Sequence, residues 1–153
     1  MALYLVQHGK SLPKEADPDQ KLSAQGISDA TRIAGVAQGY GVKVAQIRHS
    51  GKRRARQTAQ IMAKHLTPRE QPMEIGGLNP TDDVITFART LSSQNDLMVV
   101  GHLPFLSRLV SYLITGSLTT GVFRFQNAGI VCMDQETGSG AWVITWTLMP
   151  EIR

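Results

Sequence analysis

The sequence predicts an α/β fold in which a mostly parallel sheet carries helices on both faces. Two observations point there. Over the first three-quarters of the chain, short apolar runs alternate with stretches of helical periodicity, and such alternation builds parallel sheets with crossover helices. The last quarter then changes to strand-like runs separated by glycine-containing turns, which adds antiparallel strands at the C-terminal end. At 153 residues the chain has the length of one domain, so residues 1–153 are expected to form a single unit.

The elements follow in order. Residues 2–7 are an apolar run ending at His8-Gly9, a strand feeding a turn. Residues 10–21 are polar, hold Pro13 and Pro18, and read as a loop. Residues 23–40 place Ile27, Ala30, Ile33, Ala34 and Ala37 at helical spacing, with Gly39 and Gly41 as the stop. Residues 42–47 alternate and predict a second strand. Residues 52–66 carry Ala55, Ala59, Ile61, Met62 and Leu66 and predict a helix that ends before Pro68.

Residues 73–75 predict a short strand. Thr81 is the expected cap of a third helix over 82–91, with Asp82 and Asp83 in its first turn. Residues 97–100 are wholly apolar and end in Gly101-His102, the pattern of a parallel strand buried on both faces. Pro104 opens a fourth helix that reaches Ile114. Strands are expected over 121–125, 129–134 and 141–148. Trp142 and Trp146 are placed on one face of the last strand, in the core. Cys132 reads as a small buried hydrophobe and His65 as a surface residue facing a helix C-terminus.

Composition narrows the function classes. With 42% hydrophobic and 18% charged residues the chain is globular rather than disordered. No apolar run approaches the ~18–20 residues that span a bilayer, and the first residues lack the basic segment and cleavage site of a secretory signal. A single cysteine makes no internal disulfide, which suits the cytoplasm, the expected location, with no membrane partner. The net charge is +4 and is uneven: Arg48, Lys52, Arg53, Arg54 and Arg56 lie close together with no acid among them. Such a cluster draws phosphate on a small molecule, a protein or a nucleic acid. With aromatic residues at 6%, there are few platforms for stacking bases, so nucleic acid is not the expected partner.

In open α/β sheets, ligands bind beyond the carboxyl ends of the strands. Three of the four histidines, His8, His49 and His102, fall at predicted strand ends on that edge, with the arginine cluster among them. A transferring phosphoryl group spreads negative charge over its equatorial oxygens, so positioned cations and donors do most of the work. A neutral imidazole can attack phosphorus and hold a phosphohistidine that water then hydrolyses. Arg54 offers a bidentate fork, His102 another donor, and the start of the 52–66 helix its free amides. Ser50 and Ser11 are further candidate donors to phosphate.

These residues also carry a resemblance. His8-Gly9 after the first strand, then Leu22-Ser23-Ala24-Gln25-Gly26, then 50–59 (Ser-Gly-Lys-Arg-Arg-Ala-Arg-Gln-Thr-Ala), then Val99-Val100-Gly101-His102, resemble the histidine phosphatase superfamily in that order. The short length, with Leu78-Asn79-Pro80 and Gly101-His102-Leu103-Pro104, looks most like its SixA-type phosphohistidine phosphatase branch. The resemblance runs from Ala2 to about Leu113. It implies a three-layer α/β/α sandwich without a cap domain and an open site. It also implies His8 as nucleophile, Arg54 and His102 as phosphate-binding catalytic partners, and no metal or other cofactor.

Gln7 departs from the pattern, because the family carries arginine before the nucleophile. Glutamine at this phosphate-binding position keeps a donor and an acceptor but loses the charge and the fork. Arg48, Lys10 and Lys52 are the candidate compensating cations. A general acid is the other open position: Asn79 stands where a carboxylate is expected, and Asp83 or Asp82 are the nearby candidates. Phosphohistidine makes the lesser demand, since a protonated imidazole leaves phosphorus more easily than an alkoxide does. The expected function is therefore a metal-independent phosphatase acting on phosphohistidine proteins in signalling. The alternatives are a phosphomonoesterase acting on a small phosphate ester, and a phosphate- or phosphoprotein-binding module weakened in turnover by Gln7.

Overall fold

Strand β1 (Leu3–Gln7) is the centre of the architecture. In the computed structural model, which describes residues 1–152, it pairs in parallel with β4 (Leu97–Gly101) and antiparallel with β5 (Ile130–Gln135). Outward from β4 lie β2 (Gln46–His49) and β3 (Met73–Glu74), both parallel; outward from β5 lies β6 (Trp142–Leu148), antiparallel. The spatial order is β3-β2-β4-β1-β5-β6.

The apolar runs of β1 and β4 arise because both faces of the sheet are covered. Tyr4 and Val6 enter one core with α1 (Ala24–Gly39) and α2 (Arg53–Leu66), while Leu3 and Leu5 enter the other with α3 (Val84–Ala88) and α4 (Phe105–Thr115). This is the expected three-layer sandwich. Leu3, Leu5, Ile33, Ile47, Met98 and Phe105 are fully buried, and such side chains contribute roughly 1.5–3 kcal/mol each relative to exposure. Among the described residues the connections carry a 3-10 turn at Ser93–Asn95 and an isolated bridge between Ser11 and Leu22, so no cap domain stands apart from the sandwich. No helix there is long and apolar enough to cross a membrane.

Four expectations need correction. The second strand begins at Gln46 rather than at residue 42: Val42 and Val44 pack towards the core, but ladder partners begin at Gln46. The third helix is one short turn, capped by Asp83 and not Thr81, because the Asp83 carboxylate reaches the amides of Ile85 and Thr86. Residues 121–125 form no strand: β4 and β5 already occupy both edges of β1, and Phe123 and Phe125 pack edge-to-face (5.2 Å, 88°) on the α3–α4 side. Trp142 and Trp146 face opposite cores. The register of β5 with β6 slips between Cys132 and Met133, leaving Thr145 without an opposite residue, and that bulge reverses the alternation.

The fold thereby aligns the carboxyl ends of three strands, β1, β4 and β2. Gln7 lies opposite Gly101, and His49 opposite Val100. The next residues, His8, His102 and Ser50, leave the sheet together on its carboxyl edge.

Candidate active site

His8 is held by its own backbone first. Its N–H donates to the Gly101 carbonyl (3.0 Å), and its carbonyl accepts from Asn127 Nδ2 (2.9 Å). The ring Nδ1 lies 2.8 Å from the Gly9 carbonyl oxygen. A carbonyl only accepts, so Nδ1 carries the proton and Nε2 keeps its lone pair. That lone pair faces Arg54, whose Nε is 3.4 Å away. Burial lowers the His8 pKa to about 4, and the Arg54 charge adds to the fall against the opposing Gly9 bond. The ring is neutral near pH 7, the state a nucleophile needs.

Two helices are fixed onto this strand end. Thr58, fully buried, accepts from the Gly9 N–H (2.9 Å) and donates to the Arg54 carbonyl (2.8 Å), so one hydroxyl ties the residue after His8 to the turn that bears Arg54. Ser23 caps α1 by accepting from the Gly26 N–H, and its own N–H and hydroxyl both donate to the Lys10 carbonyl. A Cβ at Gly26 would overlap that Lys10 oxygen. The Leu22-Ser23-Ala24-Gln25-Gly26 segment is thus a seat for the backbone that follows His8.

His102 is 1% exposed and stands next to His8, ring centres 5.0 Å apart. Its Nε2 is 2.6 Å from Ser50 Oγ. Ser50 Oγ also accepts from the Lys52 N–H (3.4 Å). His102 Nδ1 is buried and has no partner among the described residues. Burial pushes the His102 pKa down to about 3, with the His8, Arg54 and Lys52 charges acting the same way. Arg54 is half-buried, and burial lowers its pKa. The N-cap of α2, Lys52, makes no side-chain cap and the first turn holds no acid, so its amides are open to an anion.

The other sequence candidates divide. Gln7 points to a neighbouring pocket of about 120 Å³ with Lys10, Asp29, Asn127 and Glu151, and its Oε1 is buried without a hydrogen bond. Of the compensating cations, Arg48 pairs with Glu70 (2.6 Å) and Lys10 with Glu151 (3.6 Å), while the Lys52 charge reaches His102. Asp82 accepts from the Asn79 N–H (2.8 Å). Asp83 accepts from Ile85, Thr86 and the Thr86 hydroxyl, which holds its carboxyl below the ordinary range. Both carboxylates are spent on turns, and Asp83, stabilised as the anion, is a poor proton donor. His49 is buried and its Nδ1 accepts from the Gly51 N–H (3.1 Å), a link within its own turn. Among the described residues no three or more His, Cys, Asp or Glu side chains gather as a metal site.

Thr58 and Asn127 were not singled out by sequence reasoning. Thr58 had a usable signal, four residues after Arg54 on the same helix face. Asn127 had none, since its contact with His8 spans 119 residues.

Residues 3–76 match the model of the histidine phosphatase superfamily (branch 1). No curated protein matches the chain. Among solved structures, the protein histidine phosphatase SixA complexed with tungstate is 22% identical, with TM-score 0.81 over 98% of this chain and 97% of that one. The alpha-ribazole phosphatase of Shigella flexneri is 20% identical (TM-score 0.76, covering 100% and 98%). The phosphoserine phosphatase of Entamoeba histolytica in complex with 3-phosphoglyceric acid is 17% identical (TM-score 0.69, covering 95% of each chain). At these identities the likeness is one of fold. The matched segment holds His8, Ser50 and Arg54; His102 lies beyond it.

Proposed function

From a chain whose residues 3–76 carry the histidine phosphatase superfamily pattern, we propose a phosphatase that forms a phosphohistidine on His8 and takes its phosphoryl group from phosphohistidine on another protein. The carrying observation is the His8 ring itself, with Nδ1 committed to the Gly9 carbonyl and Nε2 open beside Arg54.

The steps follow from these atoms. The substrate phosphoryl group enters between His8 Nε2, Arg54 and the first turn of α2. Nε2 attacks phosphorus in line while the bond to the substrate's ring nitrogen breaks. The departing imidazole is neutral if its other nitrogen already holds a proton, so the enzyme supplies none. The Nδ1–H bond to Gly9 stabilises the positive charge that the His8 ring acquires. Arg54, His102 and the helix amides meet the oxygens' charge. Water then attacks phosphorus and returns His8, releasing phosphate.

An acid-independent route suits a site whose nearby carboxylates, Asp82 and Asp83, are tied into turns. A protein-borne phosphate also suits a strand-end edge without a cap domain. A phosphomonoesterase acting on a small ester would instead need a proton for its alkoxide. The test is a rapid quench after mixing with a labelled phosphohistidine peptide. Wild type should carry acid-labile, alkali-stable label, and His8→Ala none. The absence of both label and phosphate release in wild type would overturn the reading, and faster turnover of p-nitrophenyl phosphate or sugar phosphates would move it to the small ester.

A further inference from the structure

We propose that the groove between the 14–20 loop and the first turn of α2 docks a carboxylate-rich face of the protein that brings the phosphoryl group. The proposal rests on the phosphatase reading and adds which kind of protein surface the site accepts.

The groove has a volume of about 470 Å³, and its charged lining is Lys14, Asp19, Lys52, Arg53, Arg54 and Arg56. Five cations thus face one carboxylate. Arg53 meets Asp17 at 3.8 Å, which ties the loop to the helix. Lys14, Lys52 and Arg56 form no salt bridge among the described residues. The other flank of His8 is different, since Lys10 there is paired with Glu151. Arg54 belongs both to the groove and to the His8 contact, so a partner lying in the groove ends at the reactive nitrogen.

The form of the charge selects the partner. A second phosphate is gripped by convergent, partly buried forks, as Arg54 provides for the first. Lys14 and Arg56 are instead exposed, and they stand on opposite walls. Dispersed exposed cations suit several separated carboxylates on a protein surface, attracting them over a distance and fixing the approach. The lining has no aromatic ring on which a base could stack, which disfavours a nucleic acid strand.

Two phosphohistidine peptides of equal length test this, one flanked by glutamates and one by glutamines. Binding of their unphosphorylated forms is read by fluorescence anisotropy and hydrolysis by kcat/KM, at low and at high salt. The glutamate peptide should bind and react about tenfold better at low salt, with the advantage shrinking as salt rises. The double variant Lys14→Glu, Arg56→Glu should erase that advantage, so that the glutamate peptide no longer binds or reacts better than the glutamine peptide. Equal binding of the two peptides by wild type overturns the proposal. So does an advantage that survives the double variant, or a single-stranded oligonucleotide of equal charge that binds tighter than the glutamate peptide. Preferential binding without hydrolysis keeps the docking surface and overturns the phosphatase reading instead.

Discussion

His8 and His102 hold equivalent places, each the first residue beyond one of two neighbouring parallel strands, yet their surroundings give them different chemistry. His8 is half-buried, spends Nδ1 on a backbone carbonyl and leaves Nε2 open beside Arg54. His102 is buried, and Ser50 holds the nitrogen that His8 leaves open. Strand order brings the two rings within 5.0 Å. In the proposed reaction the placement of each ring's hydrogen bond separates the two: His8 is bonded at Nδ1 and open at Nε2, His102 is bonded at Nε2. The difference teaches that two strand-end histidines in equivalent positions are set apart by their partners: His8 Nε2 is left open beside Arg54, whereas His102 Nε2 is engaged by Ser50.

Exchanging the losses breaks this comparison most directly. His8→Ala should remove all acid-labile label and lower kcat/KM by about a thousandfold or more, as loss of a covalent nucleophile does. His102→Asn should keep the label, because the nucleophile is intact, while slowing its formation about 10²–10³-fold, the effect of one lost transition-state donor. Both are read in the same quench series. Label retained in His8→Ala and lost in His102→Asn would reverse the assignment.

A smaller change probes the residue that joins the two. Gln7 precedes His8 and lies opposite Gly101, which precedes His102. Its Oε1 is buried without a partner. Gln7→Arg should restore a charge-assisted contact worth about 1.5–3 kcal/mol and raise kcat/KM about ten- to a hundredfold with the label still on His8. An unchanged or lower rate would mean that Asp29 or Glu151, which share the Gln7 pocket, take the guanidinium and that the pocket lies outside the phosphate site.

Much of this was legible in the sequence because it depends on local pattern. Apolar runs marked β1 and β4, helical spacing marked α1 and α2, and the strand-end rule led to His8, His102 and Arg54. What was not legible depends on long-range geometry. The bulge at Thr145 turns Trp146 away from the face of Trp142, and nothing in residues 141–148 announces it. Thr81 and Asp83 are both good caps, and only the chain path selects Asp83. The Asn127 bond to His8 depends on two segments meeting at the sheet edge. Which ring nitrogen is engaged and which is left open, the basis of the proposed roles, depends on distances that no local pattern encodes.

The gentlest test uses the depressed pKa values of both rings. An unfolded histidine titrates near 6.5; folded His8 titrates at about 4 and His102 at about 3. Between those limits the unfolded chain binds protons that the folded chain refuses. Stability is therefore complete above about pH 6.5 and falls as the pH drops, by about 1.4 kcal/mol per pH unit for each such proton. The His8 share of the loss ends near pH 4, where the folded ring protonates too, and the His102 share continues to about pH 3. Urea midpoints measured from pH 7 to pH 3 should fall less steeply in His8→Asn and in His102→Asn than in wild type. Asp17 and Asp83, also held below the ordinary range, add their own losses at the acid end in all three proteins and cancel in the differences. Below pH 4 only the His102→Asn difference should keep growing. Identical curves for the two variants down to pH 3 would show that the rings share one environment, and the contrast between them would then rest on hydrogen-bond geometry alone.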